Sequence, residues 1–502
     1  MSILDSFVLG LDIGTTNIKA CAVDGSGRFL AISSCRNKVN IGLGGRVEQN
    51  GDEMWKSVQI VLKDVLKKIY TFNPINGATT LKSLSLSTQG GTVFFLDKDN
   101  KHVRPGITWM DTRPAMGPVP ITDEVVGAPT TVGRDCRRIT DQKLFAITGR
   151  TTSIGCLPFL QLLWMKKNEP ETRRRTKKYE FVDSLIYEKF TGRSVIDPSS
   201  AVMTMLYDVR KGTWSDTLLK MVGIKRIQLP EILPSGEVAG TIKQSIAKLL
   251  GLPEGLKIIC GGHDQYCAAL GSGVINPGDT LLSCGTAWAL ITIWNRPIFK
   301  FGSNFSPGPH VLKDKWGMLT AISKAGAFFD WTMKILNFKN YQDALSKIEE
   351  VPDGCGGLLF LPLDNGKGVF HGLGLHHDRQ FLLKSVMEGL GFEVTSRIRI
   401  LEELGIKPTS ITMVGGAAKS EEWARIISNI TQLEVKVPPE TESACRGAAM
   451  LAASNEIGFK GGKIKYQIYT PSKKSIHVYR DALKKYGKIK NIETSYGDKL
   501  PT

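Results

Sequence analysis

Asp264 follows an apolar run, Ile258-Ile259-Cys260, and a glycine pair, Gly261-Gly262, in the stretch IICGGHDQYCAALGSGVINPGDTLLSCGTAWAL (258–290). The run reads as a buried strand meeting a sharp turn, which holds the carboxylate at a strand end. An acid so placed can take the proton of a hydroxyl. A small-residue helix is expected from Tyr266 to Gly273. Pro277-Gly278-Asp279 then makes a second turn, and Thr280 to Ser283 reads as a strand entering Gly285-Thr286. Backbone N–H groups and a hydroxyl in a glycine turn hold phosphate oxygens. One carboxylate and one such turn, on neighbouring strands, suit phosphoryl transfer.

A second glycine turn lies near the N-terminus. Val8 to Leu11 and Asn17 to Asp24 read as two strands of a hairpin flanking Asp12-Ile13-Gly14-Thr15-Thr16. Glycine admits close approach of backbone to a phosphate. The threonines add hydroxyls, and Asp12 can hold a hydrated Mg²⁺. The GxxxxGK[ST] and GxGxxG spacings are absent here, so this is neither a Walker loop nor a dinucleotide fingerprint.

LGLDIGTTNIKA resembles the first phosphate motif of the actin, Hsp70 and sugar-kinase superfamily. GGHDQYCAALGSG with LLSCGTAWAL resembles the catalytic acid and second phosphate motif of its FGGY carbohydrate-kinase branch, of xylulokinase-like type. ITMVGGAAKSEEWARIISNITQLEVKVP with ESACRGAAMLAA resembles that branch's adenosine segment. The resemblance implies an α/β chain of two ribonuclease-H-like (actin-like ATPase) domains around a central cleft. It implies ATP and Mg²⁺, with transfer of the γ-phosphoryl group to a hydroxyl of a sugar or polyol, a pentulose such as xylulose first among them. In that reading Asp264 is the base. Gly14, Thr15, Thr16, Gly285 and Thr286 hold the phosphates, with this first loop meeting phosphate rather than sugar. Gly326, Gly415, Gly416 and Ala417 lie by the nucleotide, and Asp12 positions the metal. Domain closure would exclude water and limit ATP hydrolysis.

The strand Leu84 to Ser87 runs into Thr88-Gln89-Gly90-Gly91-Thr92, where the family touches its sugar. Relatives often carry larger side chains after the glutamine. Gly90 and Gly91 are therefore expected to leave a roomier pocket; the competing view is a turn with positive φ. Ile107-Thr108-Trp109-Met110-Asp111-Thr112-Arg113 matches the family's IxWxDxR pattern. It offers Trp109 to a carbon skeleton and Asp111 to hydroxyls, unless Asp111 only pairs with Arg113. Gln89, Gly90, Gly91, Trp109, Asp111 and Gln265 make up the expected sugar side. The family's GeRxP…arG loop is replaced by Asp364 to Leu373, without its arginine. His371, His376 and His377 lack a metal-binding pattern and are expected in loop roles.

Around these motifs, Trp55, Val58, Leu62, Val65 and Leu66 recur at helical spacing within 52–68, and Phe381 to Leu404 reads as a long helix. Gly447 to Ala452 reads as a small-residue helix suited to tight packing. Gly251 to Gly255 is turn chemistry, which places the domain boundary between 255 and 256 and gives domains 1–255 and 256–502. Strand–glycine turns at Asp12, Asp264 and Gly285 suggest two related halves. The 502 residues are 42% hydrophobic and 23% charged, ordinary for a globular protein. Nine scattered cysteines fit a reducing compartment. Without a signal peptide or a membrane-length apolar run, a cytoplasmic protein is expected. The net charge of +17 is diffuse and lacks interleaved aromatics, so nucleic acid is not expected as a partner. The partners expected are a small sugar or polyol and a second copy in a homodimer. An actin-like ATPase or scaffold is the alternative function; Trp109, Asp111 and GGHDQ, which belong to a sugar site, argue against it.

Overall fold

The computed structural model describes residues 6–72, 80–115, 139–151, 156–363, 366–440, 442–454 and 464–497. The chain gathers into two compact units. The first comprises Met1–Gly273, Asn295–Met318 and Glu442–Lys463; the second comprises Val274–Trp294, Leu319–Thr441 and Ile464–Thr502. Among the described residues no helix is long and apolar enough to cross a membrane.

In the first unit the hairpin forms as its apolar strands dictate. Ser6–Ile13 pairs antiparallel with Asn17–Asp24, and Phe29–Arg36 adds antiparallel beyond it. On its other side Ser6–Ile13 lies parallel to Thr80–Thr88, which lies parallel to Lys257–His263; Val238–Thr241 closes that edge antiparallel. Parallel neighbours need crossovers. Helix Gly51–Phe72 supplies one and buries the five side chains expected from its periodicity, Trp55, Val58, Leu62, Val65 and Leu66. Each such burial is worth roughly 1.5–3 kcal/mol.

The second unit repeats this scheme. Asp279–Cys284 pairs antiparallel with Trp288–Trp294 and parallel with Ser410–Gly415, which pairs parallel with Val435–Val437, and Gln467–Tyr469 closes the edge antiparallel. Both sheets are thus a hairpin, two parallel neighbours and an antiparallel edge. The internal repeat lies in this topology. Gly14–Thr16 and Gly285–Ala287 are its equivalent hairpin turns, each at the end of a central strand.

Two expectations about the central stretch are corrected. Gly261-Gly262 is not a turn: the strand continues to His263, and neither glycine has a positive φ. The glycines answer a close approach, because a Cβ on Gly261 would lie 1.6 Å from the Leu86 carbonyl oxygen. The following helix is Asp264–Gly271, not Tyr266 to Gly273. The compact units also differ from a division at 255/256. Lys257–His263 stays with the first unit because it pairs with Thr80–Thr88. Helix Ser443–Ser454 belongs there too, packed on Asp264–Gly271. Small residues permit that packing: a Cβ on Gly271 would meet Ser443 O at 1.9 Å, and one on Gly447 would meet Cys267 O at 1.9 Å.

Candidate active site

Within the first unit, three strand ends bring the acids together. Asp12 is the penultimate residue of Ser6–Ile13 and stands in register with Ser87 on one side and Lys19 on the other. The Ser87 hydroxyl donates to Asp12 Oδ1 at 2.7 Å. Asp264, half-buried, is the first residue of its helix, where the helix dipole favours a carboxylate. Burial overrides this and pushes the Asp264 carboxyl up to about 6, with Gln265 donating to it through backbone and side chain and pulling it back. Burial pushes Asp12 up to about 7; the Ser87 hydrogen bond opposes, Asp264 adds to the rise, Lys19 opposes and Glu442 adds. Lys19 is itself paired with Glu442. The two acids therefore feel each other's charge, and a dication there would relieve the repulsion.

The Thr15 hydroxyl is engaged inside the protein. It donates to Gln89 Oε1 at 2.5 Å and accepts from Trp109 Nε1 at 3.1 Å. Gln89 Nε2 donates to Gln49 Oε1 at 2.7 Å, and Gln49 Nε2 closes the ring on the Thr15 carbonyl at 3.0 Å. The Thr15 hydroxyl thus gives its one proton to the Gln89 side. The Thr16 hydroxyl, on an exposed residue, accepts only from Asn17 Nδ2 at 3.3 Å. Thr15→Val is thus expected to raise the KM for sugar by about tenfold, the cost of leaving buried Gln89 short of a partner, with the KM for ATP unchanged. Steady-state kinetics in both substrates checks this; a rise confined to the KM for ATP would refute it.

The roomier pocket at Gly90-Gly91 is also corrected. A Cβ on Gly90 would lie 2.8 Å from His263 Cδ2 and 2.8 Å from Met203 Cβ, so the chain itself fills that space. Gly91 has φ +77°, and a Cβ there would lie 2.8 Å from Leu157 Cδ2 and 2.9 Å from Trp109 Cβ. The competing view, a glycine required by positive φ, is the one the backbone supports. Gly91→His is expected to lower the thermal unfolding midpoint by several degrees; a changed substrate profile at an unchanged midpoint would restore the pocket reading. Trp109 is 40% exposed and remains open to a substrate. Asp111 does not: it is 0% exposed. Its oxygens accept from the Val47 N–H at 3.0 Å, the Arg113 N–H at 3.0 Å, and Arg113 Nε and Nη2, with Nη2 at 2.6 Å. Asp111 is a brace for Arg113, not a sugar ligand. Gln265 is half-buried, and its Oε1 is sealed without a partner among the described residues.

Sequence reading missed His263, beside Asp264, and Arg150, whose charge acts on His263. His263, 5% exposed, lies with Nδ1 at 3.4 Å from Asp264 Oδ1. Arg150 is fully buried, its Nη2 donates to Met203 Sδ at 3.3 Å, and the Tyr266 hydroxyl acts on its charge. Burial, then the Arg150 charge, pushes His263 down to about 3, so the imidazole is neutral. The GGHDQ motif contained the signal for His263; Arg150, over 100 residues earlier in the chain, carried none.

The second unit gathers the other glycines. Cys284 stands in register with Gly415, and the Gly416 N–H donates to Cys284 O at 2.9 Å. Gly415 has φ +93°, and a Cβ on Gly326 would lie 2.3 Å from Gly285 O. Gly285, Thr286, Gly326, Gly415, Gly416 and Ala417 thus meet at one end of the sheet, with Gly285, Thr286 and Gly416 exposed. Backbone unshielded by side chains at a strand end is suited to a nucleotide.

Residues 7–271 match the model of the FGGY family of carbohydrate kinases, N-terminal domain, and residues 281–456 match that family's C-terminal domain. A xylulose kinase of Escherichia coli (strain K12) is 25% identical over 460 residues, 88% of this chain and 89% of that protein. The crystal structure of a gluconate kinase from Lactobacillus acidophilus superposes with a TM-score of 0.87 at 25% identity, covering 99% of this chain and 100% of that one. A ligand-bound xylulose kinase from the same organism gives 0.85 at 24% identity over 99% of this chain and 100% of that one, a likeness of fold. Two family matches covering most of the chain, on the twofold-repeated α/β scheme, mean that it belongs to the FGGY family of carbohydrate kinases, ATP-dependent phosphotransferases with an alcohol group as acceptor.

Proposed function

We propose that the acceptor is a pentulose, with Asp264 as the general base that takes the proton of the attacked hydroxyl. The observation that carries the catalytic assignment is Asp264 itself: a half-buried acid at a strand-to-helix junction, its carboxyl lifted to about 6, which matches a base to neutral pH. The pentulose reading draws on the xylulose kinases among the relatives. Gln89, Trp109 and Gln265 line the acceptor side. The backbone of Gly14 and the hydroxyl of Thr16 are phosphate-binding groups in this reading, as are Gly285 and Thr286, with Gly326, Gly415, Gly416 and Ala417 at the nucleotide.

Asp12 fits Mg²⁺. Among the described residues its Oδ2 has no hydrogen-bond donor, its pKa is lifted by burial and by acidic neighbours, and Ser87 fixes its orientation through Oδ1. Mg²⁺ is commonly held by one or two carboxylates, waters and substrate phosphates rather than by a protein cage. When bound it supplies charge neutralisation at the phosphates.

A coupled ADP-release screen over D- and L-pentuloses, hexuloses, aldonates and polyols tests the reading. Turnover highest on a pentulose supports it; turnover confined to another class overturns the substrate, and ATP hydrolysis indifferent to every acceptor overturns the kinase reading.

A further inference from the structure

We propose that His263 is a substrate-contacting, specificity-determining residue, whose Nε2 accepts a hydrogen bond from the sugar hydroxyl adjacent to the one attacked. This rests on the reading of Asp264 as the base.

Four observations converge on the ring. First, its place is dictated by the backbone. The His263 N–H donates to Ser199 Oγ at 3.0 Å, Ser199 Oγ donates to Asp197 Oδ2 at 2.5 Å, and Asp197 caps the helix Pro198–Ala201. The imidazole stands edge-on to Tyr266, with ring centroids 5.9 Å apart. Second, the ring occupies the space that a side chain at position 90 would take, its Cδ2 only 2.8 Å from a Cβ built there. The strand end carrying Gln89 therefore has no side chain of its own at 90 or 91, and the imidazole stands where one would reach. Third, Nδ1 is sealed from solvent without a hydrogen-bond partner among the described residues. Buried polar atoms are nearly always paired, and an exception calls for a reason. Fourth, Nδ1 faces Asp264 Oδ1 at 3.4 Å. A neutral imidazole puts its one proton where a carboxylate favours it, on Nδ1, which leaves Nε2 with its lone pair outward.

The geometry assigns the two nitrogens different duties. Nδ1–H faces the base and favours its ionised form. Nε2 is bonded to the carbon that faces Gly90, the residue after Gln89. A sugar hydroxyl one carbon from the attacked position reaches an acceptor beside the base. An acceptor lacking that hydroxyl leaves Nε2 unpaired in a buried site, a source of strong discrimination.

The rival view is that His263 merely fills volume beside Gly90. Two near-isosteric replacements separate the views, because the amide of Asn overlays Nδ1 and that of Gln overlays Nε2. The full-length protein is assayed by coupled ADP release with MgATP and D-xylulose, or with the best acceptor of the panel if that is another. His263→Gln is expected to hold the KM for sugar within about threefold, while His263→Asn raises it about 10- to 100-fold, with the KM for ATP unchanged in both. Against the acceptor deoxygenated at the neighbouring carbon, wild type and His263→Asn are expected to converge. Thermal unfolding midpoints of the two variants report the filling role and are expected to agree. Equal sugar KM values for the two variants, or differences tracking their midpoints, overturn the inference. A wild-type protein inert toward the whole panel overturns the kinase reading and this inference with it.

Discussion

Asp264→Asn is expected to lose phosphoryl transfer by about 10²–10⁴-fold while keeping its affinity for ATP. The side chain begins a helix, is half-buried, and has its carboxyl lifted to about 6 by desolvation against the pull of Gln265. A base must be ionised to act. In the wild type the rate should therefore be flat above about pH 6 and fall roughly tenfold per unit below it, the ordinary behaviour of one titrating base. Gln265 from its own helix acts on this carboxyl; His263 from the strand before it lies with Nδ1 3.4 Å away, and Asp12 feels its charge. A dication at Asp12 would lower both acids, so the limb should move to lower pH as Mg²⁺ is raised. The stability effect has the opposite sense to the rate. A carboxyl whose folded pKa exceeds its unfolded value of 3.8 makes the folded state bind protons more tightly, so stability declines as pH rises from about 4 to about 6. At pH 7 the neutral amide should be at least as well tolerated as the ionised acid. Lost turnover with an undiminished unfolding midpoint is the expected signature. Over half of wild-type turnover on the best acceptor would remove Asp264 from the mechanism.

Residue spacing disclosed the scaffold because its signals are local. Alternating and continuous apolar runs located Ser6–Ile13 and Asn17–Asp24, and helical periodicity placed Trp55 through Leu66 on the buried face of Gly51–Phe72. Side-chain commitments are set by partners far away in sequence. Thr15 and Gln89 are 74 residues apart, and no pattern foretells that a 2.5 Å hydrogen bond joins them. Asp111 was ambiguous for a different reason. Its partner Arg113 is two residues away and was named, but only burial shows that the pairing leaves no oxygen open. Glycines misled most. A glycine pair after an apolar run signals a turn, yet at 261–262 it serves a strand passing too close to its neighbour for any Cβ. Sequence alone distinguishes poorly between a glycine needed for φ and one needed for space. Here Gly91 is the first kind, and Gly90 and Gly261 are the second.

Gly261→Ala is accordingly expected to prevent folding or to remove most of the stability of the first unit. A Cβ at 261 would lie 1.6 Å from Leu86 O, 2.6 Å from Leu86 C and 2.9 Å from Leu86 N, all backbone atoms of the adjacent parallel strand. A flexible side-chain tip could swing aside; a strand in mid-sheet cannot. The Gly261 strand is also held from its other face and edge. The Tyr187 hydroxyl accepts from the Gly261 N–H at 2.7 Å and donates to Ile259 O at 3.3 Å. The Cys260 N–H donates to Glu237 O, and Cys260 O accepts from the Gly236 N–H, both at 2.7 Å. Relief by displacement would break these bonds along with the ladder. Ordinary overpacking costs about 1–3 kcal/mol, and this overlap should exceed it, reaching about 4–5 kcal/mol or more of a total near 5–15 kcal/mol. The two strands involved end at His263 and Thr88, immediately before Asp264 and Gln89, so any partly folded form would carry a displaced base. Gly487→Ala is the control. That glycine lies in helix Lys473–Gly497, a Cβ there meets nothing within 4 Å, and alanine should add up to about 1 kcal/mol. Chemical denaturation of the pair decides the matter: a Gly261→Ala protein with a wild-type midpoint would mean that the sheet accommodates a side chain there, and that the path of this strand to Asp264 is not the one described.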